Sequence, residues 1–149
     1  MWSYSREVNY YETDRMGVIH HSNYLRILEE SRMAWMEENL IPYPEIERMG
    51  IVVPFTESRA TFISFLRFGD RFRVDMELYK FTGLRMHFRY KVYNETTGEL
   101  CHEAETVHYT TTREDYKPVS VKRTHPELFE KLKALVHDSE AEAKAGKAK

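Results

Sequence analysis

Apolar and small side chains recur at steps of three and four residues in the first third of the chain. The positions on this face are Tyr24, Ile27, Leu28, Ser31, Ala34 and Trp35. Charged residues fall on the other faces, so the pattern predicts an amphipathic helix of roughly four turns. Ser22 or Asn23 can cap its start, and Asn39, followed by Pro42, marks its end.

From Val52 the hydrophobic period changes to two, which is typical of strands with one buried face. The alternation is clearest at Phe72, Val74, Met76 and Leu78, and again at Leu84, Met86, Phe88, Tyr90 and Val92. Further strands are predicted within residues 55–66 and 100–112, and a weaker one within residues 2–10. The short turns between these runs favour antiparallel neighbours.

One amphipathic helix and about five antiparallel strands predict an α+β domain, with the sheet wrapped around a long central helix. The sequence Thr124-x-x-Glu127, with Pro126 between them, predicts a C-terminal helix. Its apolar seam is Leu128, Leu132, Leu135 and Val136. Residues 140–149 are small and charged and are expected to form a disordered tail. We find no internal repeat, so residues 1–149 are interpreted as a single domain.

Composition narrows the functional classes. The chain has 149 residues, 42% hydrophobic and 31% charged, which is enough for an ordinary globular core. A net charge of -2 provides no general attraction to nucleic acid. The single cysteine, Cys101, excludes an intramolecular disulfide and fits a reducing compartment. Neither a membrane-length apolar run nor a signal-peptide core is present, so a cytoplasmic location is expected.

The segment before the predicted helix contains the chemistry. Its spacing is Tyr10-x-x-x-Asp14-x-x-Gly17-x-x-x-His21-x-Asn23-Tyr24. A helix start has backbone N–H groups without intrahelical partners and a partial positive charge, which suits a developing oxyanion. A carboxylate beside it would complete a minimal acyl-transfer site. The alternative for Asp14 is a structural one, in which its side chain caps a turn.

This spacing, with the amphipathic helix and the later Phe68-Gly69-Asp70 turn, resembles the 4-hydroxybenzoyl-CoA thioesterase family of hotdog-fold enzymes over about the first 120 residues. The sequence looks most similar to the bacterial short-chain acyl-CoA thioesterase branch linked to the Tol-Pal system. The resemblance implies that Asp14 is the catalytic carboxylate and that the backbone N–H of His21 polarises the thioester carbonyl. The open edge of the predicted sheet favours a homodimer with a continuous sheet. The resemblance implies a further pairing of two dimers into a homotetramer.

Other positions are weaker candidates, each with a structural alternative. Tyr10 could orient the substrate through its hydroxyl or simply pack at a strand end. Gly17 and Val18 are expected beside the acyl group. Glu57 could line the acyl pocket or simply pair with an arginine. Arg59 and Arg89 are candidates for binding coenzyme A phosphates, with a solvated strand face as the alternative. His102 and His108 lie roughly 20 Å apart on one strand, which excludes a shared metal ion.

We therefore interpret the chain as an acyl-CoA thioesterase for short-chain or aromatic acyl groups, with no cofactor or metal. Asp14 could attack the carbonyl or activate water, and the sequence leaves both routes open. One rival is a hotdog hydratase or dehydratase acting on acyl-CoA or acyl carrier protein, although the expected histidine and carboxylate pairing is not found. Another is a noncatalytic acyl-CoA binding module.

Overall fold

The computed structural model describes residues 1–147. The strands are β1 (Trp2–Glu7), β2 (Ile51–Val52), β3 (Phe55–Phe62), β4 (Arg71–Phe81), β5 (Arg85–Asn94), β6 (Leu100–Tyr109) and β7 (Thr111–Thr112). The helices are α1 (Asn23–Asn39), α2 (Tyr43–Arg48), α3 (Val121–Thr124), α4 (Pro126–Ala134) and α5 (Ser139–Lys147), with a 3-10 turn at Tyr10–Glu12.

Five strands form an antiparallel sheet in the order β1-β4-β5-β6-β3, and β2 pairs separately with β7. The predicted inward positions of β4 and β5 are buried, from Phe72 to Leu78 and from Met86 to Val92. Leu84 is the exception at 41% exposed, because it lies in the turn before β5. The α+β architecture predicted from the period-two alternation is thus confirmed.

Helix α1 packs on this apolar face of the sheet. Its buried side chains are Tyr24, Ile27, Leu28, Ser31, Trp35 and Met36, which matches the predicted face except at the half-buried Ala34. Ser22 occupies the N-cap position but its side chain makes no cap hydrogen bond. Instead, the Asn23 side-chain amide donates to the Glu12 carbonyl oxygen at 2.8 Å. The start of the helix is therefore tied to the loop that precedes it.

The C-terminal helix begins later than the Thr124 cap predicted. Thr124 ends α3, and His125 precedes α4, which buries Leu128, Phe129 and Leu132. The larger correction concerns the expected disordered tail. The structure has a helix, α5, over Ser139–Lys147, while residues 148–149 of that tail lie outside the described residues.

A buried carboxylate explains how the start of α5 is held. The Glu77 side chain, 2% exposed, accepts hydrogen bonds from the Ser139 hydroxyl at 2.6 Å and from the His137 ring at 2.9 Å. Asp138 accepts the Ala141 backbone N–H at 3.0 Å. The Ala, Glu and Lys residues that suggested a disordered tail also have high helix propensity. The contacts at the start of α5 stabilise the helix.

Strand β3 is an open edge of the sheet. All eight of its residues are exposed, including Phe55 at 51% and Phe62 at 56%. In the described part of the chain, β3 pairs only with β6. Unpaired backbone groups beside exposed aromatic rings favour pairing with another strand. Within residues 1–147, no helix combines the length and apolar character needed to span a membrane.

Candidate active site

A tight turn fixes Asp14. Its backbone N–H donates to the Val18 carbonyl and its own carbonyl accepts the Gly17 N–H, both at 2.9 Å. Gly17 has φ +79°, a conformation that side chains with a Cβ rarely adopt. The Asp14 Oδ1 atom accepts the Met16 N–H at 2.8 Å. The turn therefore engages one carboxylate oxygen, while Oδ2 has no hydrogen-bond partner within residues 1–147.

The start of α1 contains a free amide. The backbone N–H groups of Asn23 and Tyr24 donate to the carbonyls of His20 and His21, and that of Ser22 donates to the His20 ring at 3.2 Å. For the His21 N–H, the described part of the chain supplies no acceptor. An unpaired donor at the positive end of a 17-residue helix suits an incoming carbonyl oxygen.

A pocket of about 260 Å³ joins these two features. Its lining residues are Asp14, Met16, Val18, Ile19, His21, Tyr24, Phe62, Ile63, Ser64 and Phe65. The structure thus brings together Asp14, Val18 and His21, three of the residues selected from the sequence. An apolar pocket with one carboxylate and one amide donor can hold an acyl group and stabilise negative charge on its carbonyl.

Tyr10 and Glu57 lie outside this pocket. The Tyr10 side chain is 75% exposed and its ring meets the edge of Phe68 at a centroid distance of 5.5 Å. The 3-10 turn at Tyr10–Glu12 directs the chain away from the strand-end position that the sequence suggested. Glu57 is an exposed residue of β3. Gly17 shapes the Asp14 turn but is not among the lining residues.

Arg59 and Arg89 lie together at a different place, in a groove of about 210 Å³ on the outer face of the sheet. The Arg89 guanidinium contacts four carboxylates, those of Glu77, Glu105, Asp138 and Glu140, at 3.2–3.4 Å. It also lies 3.9 Å from the centroid of the Tyr79 ring. These contacts assign Arg89 a structural role in this chain, whereas Arg59 belongs to none of the ion pairs within residues 1–147.

The sequence suggested no role for His102 once a shared metal ion with His108 was excluded, yet His102 lies directly behind the pocket. The ring is 1% exposed, stacks on Tyr24 at 4.2 Å and meets Phe62 at 4.8 Å. Among the described residues neither of its nitrogens has a hydrogen-bond partner, and burial lowers its pKa to about 4. The available signal was strand parity, because His102 shares the inward face of β6 with Ala104 and Thr106.

With the geometry in place, comparison with known proteins decides the family. Residues 8–132 match the model of the thioesterase-like superfamily. The chain belongs to this superfamily. The match covers the site loop, α1 and every strand of the five-stranded sheet except β1, so the hotdog prediction is confirmed.

Relatives of this thioesterase-like chain carry informative names. A 1,4-dihydroxy-2-naphthoyl-CoA hydrolase of Thermosynechococcus vestitus is 32% identical over 108 residues, covering 70% of this chain and 72% of that protein. The crystal structure of a DHNA-CoA thioesterase from Staphylococcus aureus has a TM-score of 0.83 at 26% identity, covering 99% and 94%. A Thermus thermophilus protein, titled hypothetical protein TT1821, has a TM-score of 0.80 at 32% identity, covering 89% and 98%. Named thioesterases among these relatives support thioester hydrolase as the enzyme class, as the sequence predicted.

Proposed function

We propose that this chain is an acyl-CoA thioesterase that hydrolyses short-chain or aromatic acyl-CoA esters to the free acid and CoA. The observation that supports the proposal best is the pocket shared by the Asp14 carboxylate and the unpaired N–H of His21. These two groups have complementary functions in the reaction. The carboxylate supplies an oxygen or accepts a proton, and the amide stabilises the oxyanion.

Two routes use the same residues. In the first, an Asp14 oxygen attacks the thioester carbon, the C–S bond breaks with departure of the CoA thiolate, and water then hydrolyses the mixed anhydride. In the second, Asp14 removes a proton from water, whose oxygen attacks the same carbon. Both routes consume one water and release one acid and one thiol. Neither needs a metal or cofactor, because the amide supplies the electrophilic assistance.

Of the two acyl classes, the aromatic one has the stronger support. Tyr24, Phe62 and Phe65 line the pocket with aromatic rings, which stack favourably on a planar acyl group. Two of the relatives are named for a dihydroxynaphthoyl-CoA substrate. The narrower resemblance to the 4-hydroxybenzoyl-CoA family and its Tol-Pal-linked branch stays a prediction, as does acyl carrier protein as a partner.

Assembly through β3 is part of the proposal. The open β3 edge favours antiparallel pairing with a second copy, giving a continuous sheet, and two such dimers would make a tetramer. A cytoplasmic location completes the proposal. Light scattering at micromolar concentration should give a dimer or a tetramer, and a monomer would contradict it.

A thiol-release screen over short, long and aromatic acyl-CoAs tests the activity. Release of one free thiol per acid formed is expected, with the fastest turnover on aromatic esters. Hydration of an enoyl-CoA without thiol release would instead identify a hydratase. Tight acyl-CoA binding without turnover of any ester would identify a binding module.

A further inference from the structure

A second groove lies between α1 and the open edge strand β3, apart from the Asp14 pocket. It has two lobes of about 200 and 150 Å³, and both are lined by Glu29, Arg32 and Phe55. His108 lines the larger lobe and Thr106 the smaller one. The groove therefore combines an aromatic ring with a carboxylate, a guanidinium and polar side chains from the sheet.

Arg32 is the outer end of a buried chain of hydrogen bonds. The Val53 carbonyl can only accept, so the His108 Nδ1 atom, 3.3 Å away, must donate to it. Burial, with the nearby Arg32 charge, lowers the pKa of His108 to about 4, so its Nε2 accepts from the Thr106 hydroxyl at 2.9 Å. Thr106 in turn accepts from Tyr90 at 2.8 Å, and Tyr90 accepts from Arg32 at 3.1 Å. This assignment gives every member of the chain a consistent direction and fixes the guanidinium in the groove.

Most of the hydrogen-bonding capacity of Arg32 is unused by the protein. Tyr90 is its one hydrogen-bond partner within residues 1–147, and Arg32 belongs to none of the ion pairs found there. Glu29, on the preceding turn of α1, is likewise without an ion-pair partner in this part of the chain. A donor and an acceptor side by side in one groove match a hydroxyl group, which accepts from a guanidinium and donates to a carboxylate.

Antiparallel pairing of β3 with a second copy brings this groove to the Asp14 pocket. Phe55 and Phe62 are at opposite ends of β3, so full-length pairing about a two-fold axis places the Phe55 end of one copy beside the Phe62 end of the other. Phe62 lines the Asp14 pocket and Phe55 lines the groove. Within one chain, Arg32 lies eleven positions after His21, a rise of about 16 Å at the helical spacing, which is beyond the length of a single-ring acyl group.

We propose that Arg32 and Glu29 of the partner subunit are specificity-determining residues, which bind a hydroxyl group on the acyl portion of a thioester held at Asp14. The inference rests on the proposed thioesterase function and on the β3-paired dimer. The Thr106 and His108 chain positions the guanidinium without touching the substrate.

Paired substrates that differ only in the hydroxyl provide the test. The ratio of kcat/KM for 4-hydroxybenzoyl-CoA to that for benzoyl-CoA, measured by thiol release, should be about tenfold or more in the wild type. Arg32→Met should bring the ratio close to one, and Arg32→Lys should give an intermediate value because it keeps the charge without the planar fork. Arg48→Met, which changes an exposed arginine on α2, should retain the wild-type ratio. A wild-type ratio near one would overturn the inference while leaving thioesterase activity intact.

Binding of inert thioethers separates this inference from the proposed function. The affinities of 4-hydroxyphenacyl-CoA and phenacyl-CoA, measured by calorimetry, do not depend on turnover. A hydroxyl preference that Arg32→Met abolishes supports the inference even if no ester is hydrolysed. Equal affinities in the wild type would refute it. Melting temperatures of all variants show whether each is folded.

Mixed dimers test the contribution of the partner. A hybrid of Asp14→Asn and Arg32→Met subunits, purified through two different tags, has one fully wild-type site if Arg32 acts across the interface. Its thiol release should then show the wild-type hydroxyl preference. A hybrid with the ratio of the Arg32→Met homodimer would place both residues in one chain and overturn the proposed arrangement.

Discussion

The Asp14→Asn variant distinguishes a catalytic role of Asp14 from a role in capping the turn. In the wild type, the Met16 N–H donates to Asp14 Oδ1 at 2.8 Å, and the Oδ1 atom of an asparagine can accept the same bond. The backbone hydrogen bonds to Val18 and Gly17 do not involve the side chain and are unchanged. The substitution therefore removes negative charge, basicity and nucleophilicity at nearly constant shape. Stability should change by less than about 1 kcal/mol.

Turnover should fall much further. Loss of a positioned base or nucleophile typically costs about a hundredfold, which is about 2.7 kcal/mol of transition-state stabilisation. The expected result is therefore a kcat about a hundredfold or more below the wild type, with the affinity for an inert phenacyl-CoA largely retained. The assays are thiol release, calorimetry and thermal unfolding on the same preparation.

Asp70 provides a matched control. Its carboxylate accepts the Arg67 backbone N–H at 2.8 Å, so it caps a turn as Asp14 does, but it does not line the pocket. Asp70→Asn should leave kcat within about twofold of the wild type. If Asp14→Asn were as active as Asp70→Asn, Asp14 would have no part in the chemistry and the proposed mechanism would be refuted.

Three further predictions use other parts of the structure. His21→Ala should retain a substantial fraction of activity because it keeps the N–H, whereas His21→Pro should abolish turnover; equal, near-total loss in both folded variants would make the imidazole catalytic. Burial lowers the pKa of His102 and of His108 from 6.5 to about 4, so the unfolded chain binds more protons as the pH falls through this range and stability declines. As the pH is lowered from 7.5 to 5, each of the two histidines should reduce the free energy of unfolding by about 2 kcal/mol. Urea titrations of the His102→Leu variant should therefore show about half of the loss of stability seen in the wild type. A wild-type stability that does not change over this pH range would refute the prediction. Arg89→Met leaves the buried Glu77 carboxylate without its main cation and should cost about 3 kcal/mol in thermal or urea unfolding; a raised KM at unchanged stability would instead indicate binding of the coenzyme A phosphates.

The parts of the fold that the sequence predicts are those set by local periodicity. Alternation in β4 and β5 and the helical spacing in α1 report burial directly, since each element buries one face. The motif from Asp14 to His21 is similarly local, because the loop and the helix start are adjacent in the chain. The proximity of Asp14 and His21 could therefore be predicted from the sequence.

Long-range contacts explain the failures. An arginine on the outer face of β5 looks like a free cation in the sequence, but carboxylates from β4, β6 and the C-terminal segment converge on Arg89. The same convergence orders the start of α5, whose composition alone suggested disorder. The predicted position of Tyr10 at a strand end is wrong for a more local reason, because a 3-10 turn replaces the expected end of the first strand.

Strand β6 shows how a broken pattern points to function. Its inward face carries His102, Thr106 and His108, while Val107 and Tyr109 are directed outward and are only half-buried. A simple core would reverse this arrangement, since a buried imidazole without hydrogen bonds costs stability. The inward polar groups lie where the acyl site is proposed: His102 is behind the Asp14 pocket, and Thr106 and His108 hold Arg32 in the neighbouring groove. Departures from local pattern are expected where selection for function opposes selection for stability, so the polar face of β6 is itself an argument that both cavities belong to one substrate site.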